Sequence, residues 1–409
     1  MSTVVETDVL KPLRADAARR FEELGWPTTK LESWKYTNLA SVAAIPWSES
    51  KDAAAFAGNG TSLARQAAAE LVFVNGALAS ITETQIPGVT ITNLARATSD
   101  SSIERFLGRV ADWQESAMTA LNLANSRDGG YIHVADGVVV EGFIHLLFIG
   151  EGDGIWAHPH NLIVAGRNSQ VTVVETYVGS GAYFTNVVTE LIAEDGAVVD
   201  HYKVITEGSE AFHVGTLHAQ QQRSSTVTSR NVALGGALVR NDTVSRLAGE
   251  GASVVLDGLF VVGGRQHVDN HTVIDHLSPH CESVELYKGI LDGNARGIFD
   301  GTIIVREGAQ KTTSRQTNKN LLLSESAIVD SKPTLEIHND DVKCNHGSTI
   351  GQLDEQAMFY LRARGIGAED ARNLLVFAFA SELVDRMKIE PVSEQIRRAL
   401  FEQLPSRRP

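Results

Sequence analysis

Cys344 and His346, two residues apart in DDVKCNHGSTIG and preceded by the acidic pair Asp340 and Asp341, are the side chains best placed by type and spacing to do chemistry. In a strand, side chains alternate with period two, so a thiolate at 344 and an imidazole at 346 project from one face and can reach one metal ion or soft ligand together. A thiolate suits copper, zinc or iron-sulfur chemistry better than hard cations. Two donors do not close a site, because a structural zinc takes four. The remaining ligands would have to come from elsewhere in the chain or from a second chain. The same spacing also fits a small buried cysteine beside a turn histidine.

A denser cluster, His267, His271, His276, His280 and Cys281, lies in RQHVDNHTVIDHLSPHC. Its spacing contains neither a Cys-x2-Cys pair nor a His-Glu-x-x-His helix. A strand-turn-strand path would put these histidines on different faces, as polar ladder and interface residues; the competing reading is the metal centre of a β-helix enzyme. Asp153, His158 and His160 in GEGDGIWAHPHN have the look of a cupin-like metal entry without its later Glu and His. No GxxxxGK[ST] phosphate loop, helix-opening GxGxxG or GxSxG elbow is present, so the chain is not expected to hydrolyse ATP by itself.

With 409 residues the chain can bury an ample core as two or three domains or one elongated one. Its formal net charge of -14 argues against a nucleic-acid surface, which needs a basic face. Two cysteines are too few for a disulfide framework and fit a reducing compartment. The N-terminal residues carry acids among their apolar positions and lack a basic, then apolar, leader pattern; the most apolar windows fall short of the roughly 18 to 20 residues of a membrane helix. A soluble cytoplasmic protein is expected.

Positioning elements follow from periodicity. Leu10, Leu13, Ala17, Phe21 and Leu24 recur at helical spacing and stop at Gly25, Trp26 and Pro27. A second helix is expected over TTKLESWKYTNLASV, with Trp34 and Tyr36 as packing anchors. Alanine-rich helices are expected between Lys51 and Glu70, then a short strand LVFVNG ending in Asn75-Gly76, and a helix over Ile103 to Asn125. Residues 1–130 therefore read as a mainly helical domain.

From residue 131 to 351 the texture is β-branched and aromatic runs broken by glycine. Small residues Ser169, Ala197, Ser225 and Ala252 are spaced by 28, 28 and 27 residues, and Cys281 to Ala309 is again 28. A repeat of this length without intervening helices predicts a parallel β-helix, whose rungs bury their inner faces against each other. The helical segments on either side are the natural caps of its open ends. After Gly351, residues 352–409 return to helical period. In AEDARNLLVFAFASELVDRM, Ala371, Leu374, Leu375 and Ala378 form one stripe and Val376, Phe377, Ala380, Leu383, Val384 and Met387 another, wider than one core-facing stripe needs.

Many segments, in order from about residue 28 to 388, carry a family resemblance. LESWKYTNL, HPHNLIVAG, GAYFTNVVTE, GTLHAQQQRSS, GGALVRND, GRQHVDNHTVIDH, ELYKGILDGNARGIFDG, QTNKNLLLSESAIVDSKPTLEI and DDVKCNHGSTIGQLDEQAMFYLRARGI together resemble the SufB/SufD family of the SufBCD iron-sulfur cluster assembly machinery, on its SufD side. The resemblance implies a right-handed parallel β-helix flanked by N- and C-terminal helical domains. It implies a non-catalytic scaffold that pairs with a SufB-like paralogue through the β-helix and binds a SufC-like ABC ATPase through the C-terminal helices, with Tyr360, Leu374, Phe377, Phe379 and Leu383 as docking residues. Cys344 and His346 carry over as the assembly-site pair, holding a transient iron-sulfur cluster shared with the partner. Reduced flavin in the complex and a homodimer of the isolated chain are compatible with it. Where SufB-like chains carry a cysteine before the leucine run, this chain has Asn318, which favours the SufD side. Cys281 matches no motif and is read as structural.

Overall fold

Runs rich in Val, Ile and Thr punctuated by glycine-centred turns favour pleated, half-buried chain over helix. A computed structural model describes residues 10–50, 63–83, 85–97 and 100–403. Its N-terminal part holds helix α1 (Lys11–Leu24), a 3-10 turn (Glu32–Trp34), the one-turn helix α2 (Ala40–Ala43), strands β1 (Ser48–Glu49), β2 (Ala69–Val74), β3 (Ala77–Glu83) and β4 (Val89–Asn93), and helices α3 (Ser101–Phe106) and α4 (Ala117–Asn125). A long run of strands follows: β5 (Gly130–Val134), β6 (Ile144–Glu151), β7 (Ile155–Ala157), β8 (His160–Ala165), β9 (Gln170–Ser180), β10 (Phe184–Ala193), β11 (Val198–Ile205), β12 (Phe212–Gln221), β13 (Thr226–Ala233) and β14 (Leu238–Leu247). It continues through β15 (Ser253–Val262), β16 (His267–His276), β17 (Glu282–Leu291), β18 (Arg296–Val305), β19 (Thr313–Leu322), β20 (Ile328–Ile337) and β21 (Lys343–Gly351). Helices α5 (Glu355–Ala363), α6 (Ala368–Val384) and α7 (Glu390–Gln403) come last.

Successive strands alternate between two sheets, ordered β20-β18-β16-β14-β12-β10-β8-β5-β4 and β21-β19-β17-β15-β13-β11-β9-β6-β2-β3. Every pairing from β8 to β21 is parallel, so the chain is a mainly β, parallel β-helix with helices at both ends of the sequence. Val171, Val173 and Tyr177 of β9 face one continuous interior, while Val174 on the same strand faces outward, as period two requires. The repeat is visible in the register. Val198 pairs with Thr226, 28 residues on, and Thr226 with Ser253, 27 on. The rungs then lengthen, since Glu282 pairs with Thr313, 31 on.

One corner explains the small-residue repeat. Ser169, Ala197, Ser225, Ala252, Cys281 and Thr312 are all buried and each carbonyl receives the first N–H of the next rung at 2.8–3.0 Å. Each is preceded by a residue at positive φ: Asn168, Gly196, Ser224, Gly251, His280 and Lys311. The longer rung makes Thr312, not Ala309, the stacking partner of Cys281, which corrects the equal spacing expected there.

Two expectations about the N-terminal region change. The segment around Trp34 is only a 3-10 turn plus α2, because its side chains are tied to the rod: the Arg240 guanidinium lies 3.8 Å over the Trp34 ring, and the Thr37 hydroxyl bonds Asp269 and, at 2.8 Å, His267. Trp34 is buried as an anchor, and the Arg296 guanidinium lies 5.7 Å over Tyr36. The 103–125 helix is split into α3 and α4, since the buried Glu190 carboxylate accepts the backbone N–H groups of Gly108, Val110 and Ala111 at 2.5, 2.8 and 3.1 Å. Beside its helices the region holds β2, β3 and β4, which extend the two sheets; the strand and turn at Asn75-Gly76 form as expected. Most of the alanine-rich stretch lies outside the described residues.

The helices do not cap the rod. Met118 and Leu121 of α4, together with Trp34, Leu39 and Val42, cover Phe184, Val214 and Leu238 on one outer face, and α6 and α7 cover Tyr202, Val232, Leu259, Leu286 and Leu321 on the other. Each fully buried Leu or Val there contributes ~1.5–3 kcal/mol, so outer-face burial outweighs covering a polar end. No helix is long and apolar enough to cross a membrane among the described residues.

Candidate functional site

The last rung is where the rod stops. Its strands β20 and β21 are exposed or half-buried along their length, whereas β18 next to them is largely buried. Cys344 and His346 lie on β21, in register with Ser314 and Gln316 of β19, whose side chains are buried in the interior. The pair therefore shares the inward face of the terminal strand, Cys344 half-buried against the end of the core and His346 exposed. Burial pushes the Cys344 thiol up from its ordinary value, a hydrogen bond from the Ser314 backbone opposing it.

Behind the pair two polar rows run inward. From Ser314, beside Cys344, Oγ meets Ser283 Oγ at 2.6 Å, and Ser283 Oγ meets His276 Nε2 at 2.9 Å. From Gln316, beside His346, Nε2 donates to Glu285 Oε2 at 2.7 Å. Asn318, Ser331 and Ser348 form a third group, with Ser331 Oγ 2.8 Å from Asn318 Oδ1 and 2.7 Å from Ser348 Oγ, joining the two sheets at the rim. Asp341 is engaged by Lys311 at 2.6 Å.

A thiolate and an imidazole suit iron or another borderline-soft metal. No group of three or more His, Cys, Asp or Glu able to hold a metal occurs among the described residues. The donor set thus fits a cluster or metal only as part of a larger set, and a rim open to a second chain is where further donors would enter. Gly347 and Gly351 on the same strand have open space where a Cβ would stand.

The histidine cluster is not brought together. His267 and His271 are on the outer face of β16, the former bonded to Thr37 and the latter 2.9 Å from Asp269 and 3.1 Å from Arg240. His276 points into the rod, where burial pushes its pKa down to about 4. His280 holds a positive-φ corner and Cys281 is fully buried in the corner stack, its thiol donating to Gly249 O at 3.4 Å. Alternation parts His276 from His267 and His271, and among the described residues no group of three or more His, Cys, Asp or Glu able to hold a metal forms from 267 to 281. The cupin-like entry fails similarly: His160 bonds Glu190 at 2.7 Å and Asn122 at 2.8 Å, burial pushes His158 down to about 3, and Asp153 accepts the Ala182 N–H at 2.7 Å.

The apolar residues of the C-terminal helices divide. Tyr360 and Leu374 are exposed, and Phe377 stacks on Phe401 at 4.9 Å. Phe379 is half-buried with the Lys288 ammonium 4.4 Å over its ring. Leu383 is 2% exposed and packs on the rod, so it anchors α6 and is not available for docking. Phe359 and Phe401, 75% and 58% exposed, were missed; their surroundings in sequence are as amphipathic as those of the buried residues, and only packing separates them.

Comparison with known proteins follows the same architecture. Residues 148–379 match the family described as SUF system FeS cluster assembly, SufBD core domain, and residues 3–146 match the SufBD protein N-terminal region. The chain is 32% identical to an iron-sulfur cluster assembly SufBD family protein of Synechocystis over 98% of its own length and 92% of that protein. It is 30% identical to the iron-sulfur cluster assembly protein SufD of Escherichia coli, covering 93% and 90%, and 28% identical to SufD of Bacillus subtilis, covering 95% and 92%.

Proposed function

The chain belongs to the SufBD family of iron-sulfur cluster assembly proteins, and from that premise we propose that it is a non-catalytic scaffold subunit whose open rung pairs with a SufB-like paralogue. The observation that carries this is the end of the rod: two long parallel strands, β20 and β21, whose outer edges pair with no strand among the described residues, beside a thiol and an imidazole too few to close a site alone. Pairing edge to edge would satisfy the strands' free backbone groups and bring a second chain's donors to Cys344 and His346. The cluster is cargo of that shared site. Because burial keeps the Cys344 thiol neutral at rest, an arriving metal displaces its proton and binds the thiolate, while His346 offers a ring-nitrogen lone pair.

The C-terminal helices are the surface for a SufC-like ATPase, which supplies the nucleotide chemistry absent from this chain. Support comes from the exposed side chains Leu374 and Phe401, held out from α6 and α7 whose other faces are fixed to the rod, and from Phe359 and Tyr360 on α5, a helix that buries none of its residues. Cytoplasmic location goes with this assignment. Co-expression with SufB-like and SufC-like chains tests both contacts. The Tyr360→Ala, Leu374→Ala double variant should lose the ATPase and keep the paralogue; retention of the ATPase would refute the docking surface. Cys344→Ala and His346→Ala should impair cluster-dependent growth under iron limitation when parallel assembly pathways are removed, and unimpaired growth of both would refute the site.

A further inference from the structure

Glu285 is a carboxyl inside the rod with no counter-charge among the described residues. It is 1% exposed, and its Oε1 has no hydrogen-bond partner among the described residues; neither has Oε1 of Gln316, which donates to its other oxygen. The neighbouring residues in register are Leu256 on β15 and Gln316 on β19. The polar groups that oppose its burial are the Thr272 hydroxyl of the opposite sheet, which faces it, and Gln316 on the adjacent strand, which hydrogen-bonds it. On its own strand the titratable group facing inward is Tyr287, which the carboxylate would push further up. His276, at the end of β16, is held neutral by burial, and Cys344 is pushed up. The nearby cation Lys288 points the other way, to Glu382 at 2.5 Å on the outer face. A lone ionised carboxylate in such surroundings is costly, so the acid form is favoured. Burial accordingly pushes Glu285 up to about 7.

Glu285, Gln316 and His346 occupy one register line across three adjacent strands, β17, β19 and β21. Two strand spacings put the carboxyl roughly 10 Å from the His346 position. We propose that Glu285 is a proton-holding positioning residue for the Cys344–His346 rim: it holds its proton more tightly while the rim is free and gives it up, as a carboxylate that balances charge, when a divalent transition-metal ion such as iron(II) is held there. The inference rests on the rim being a metal-receiving site. Its balance is simple. The metal ion forms a bond to the Cys344 sulfur as the thiol loses one proton, Glu285 loses a second, and both leave to solvent; no electron moves. After thiolate binding one net positive charge remains, which at ~10 Å and an effective dielectric of ~20 strengthens the carboxyl's acidity roughly tenfold. By linkage the carboxylate strengthens metal binding by the same factor.

The test is titration calorimetry of Co²⁺, in buffers of different ionisation enthalpy, on the full chain co-purified with its SufB-like partner. At pH 6.5 the wild type should release about half a proton more per Co²⁺ than Glu285→Gln, the thiol proton being common to both. At pH 8 the variant should bind roughly tenfold more weakly, a deficit that vanishes towards pH 5.5. A structural role alone would alter neither the proton count nor the pH profile. Equal proton release and equal affinity in Glu285→Gln, with binding lost in the Cys344→Ala, His346→Ala double variant, would overturn this inference and leave the rim standing. Co²⁺ binding unaffected by that double variant, or no saturable binding in the wild type, would overturn both.

Discussion

The two ends of the rod are built to opposite specifications. At the N-terminal end the chain reverses direction: β3 runs antiparallel to β2 through the Asn75-Gly76 turn, β4 runs antiparallel to β5, and both are short. The first rung's interior is apolar, with Phe148 stacked on Phe73 at 4.9 Å and on Tyr177 at 4.8 Å, and polar groups begin only behind that stack, where the Tyr177 hydroxyl donates to Glu175 at 2.6 Å. At the C-terminal end two strands of 10 and 9 residues stay parallel and exposed, and the interior behind them is lined by Ser314, Gln316, Asn318 and Asn320. Reversal and aromatic stacking finish one end within the chain. The other keeps a long edge and a polar interior, a combination suited to a partner that supplies both strands and ligands. Pro333 on β20 fits this reading, since proline within a sheet is tolerated at an edge.

Substitutions at the two ends should separate stability from assembly. The largest effect is expected from Phe148→Ala, which removes the middle ring of the stack and should cost ~3–5 kcal/mol in denaturant unfolding without altering the rim. A loss under 1 kcal/mol would mean that the stack does not hold the finished end. Next is Glu285→Gln in the metal-free chain. Here the folded-state pKa is raised, to about 7 from an ordinary 4.5, so the folded protein binds the proton more tightly than the unfolded chain. That contribution is present below about pH 4.5 and is lost as pH rises through 7. Glu285→Gln should therefore stabilise the protein by up to about 3 kcal/mol at pH 8 and hardly at all at pH 4.5; parallel wild-type and variant curves across that range would contradict it. The smallest stability effect belongs to Ile350→Lys on the exposed edge of β21, expected within ~0.5 kcal/mol of wild type. It should nonetheless abolish co-purification of the SufB-like chain, and a retained complex would show that β21 is not the pairing edge.

Much of this was legible in the sequence because the solenoid writes its period into chemistry. Ser169, Ala197, Ser225 and Ala252 recur because each fills a corner too tight for larger side chains, after a residue at positive φ. The period failed at Ala309 because the β17–β19 rung is longer, and length changes in a turn leave no mark on composition. Amphipathic patterning located the C-terminal helices but not what each face meets, and Leu383, which the resemblance implies as a docking residue, packs on the rod. Residue type and strand alternation single out Cys344 and His346 as a possible ligand pair on one face, and the family resemblance is what reads them as an assembly site. Glu285 was invisible, since a single Glu in an alternating strand reads as solvent-facing until register places it behind Gln316 and His346.

The central claim is that Cys344 stands at an end completed by another chain, and the chain carries its own reference for testing it. Cys281 is fully buried in the corner stack and Cys344 is half-buried at the rim. Alkylation by iodoacetamide at pH 8.5, followed by mass spectrometry of both thiols, should label Cys344 in the isolated full-length chain, leave Cys281 unmodified, and lose the Cys344 signal when the SufB-like partner is bound. Equal labelling of Cys344 with and without that partner would contradict the account.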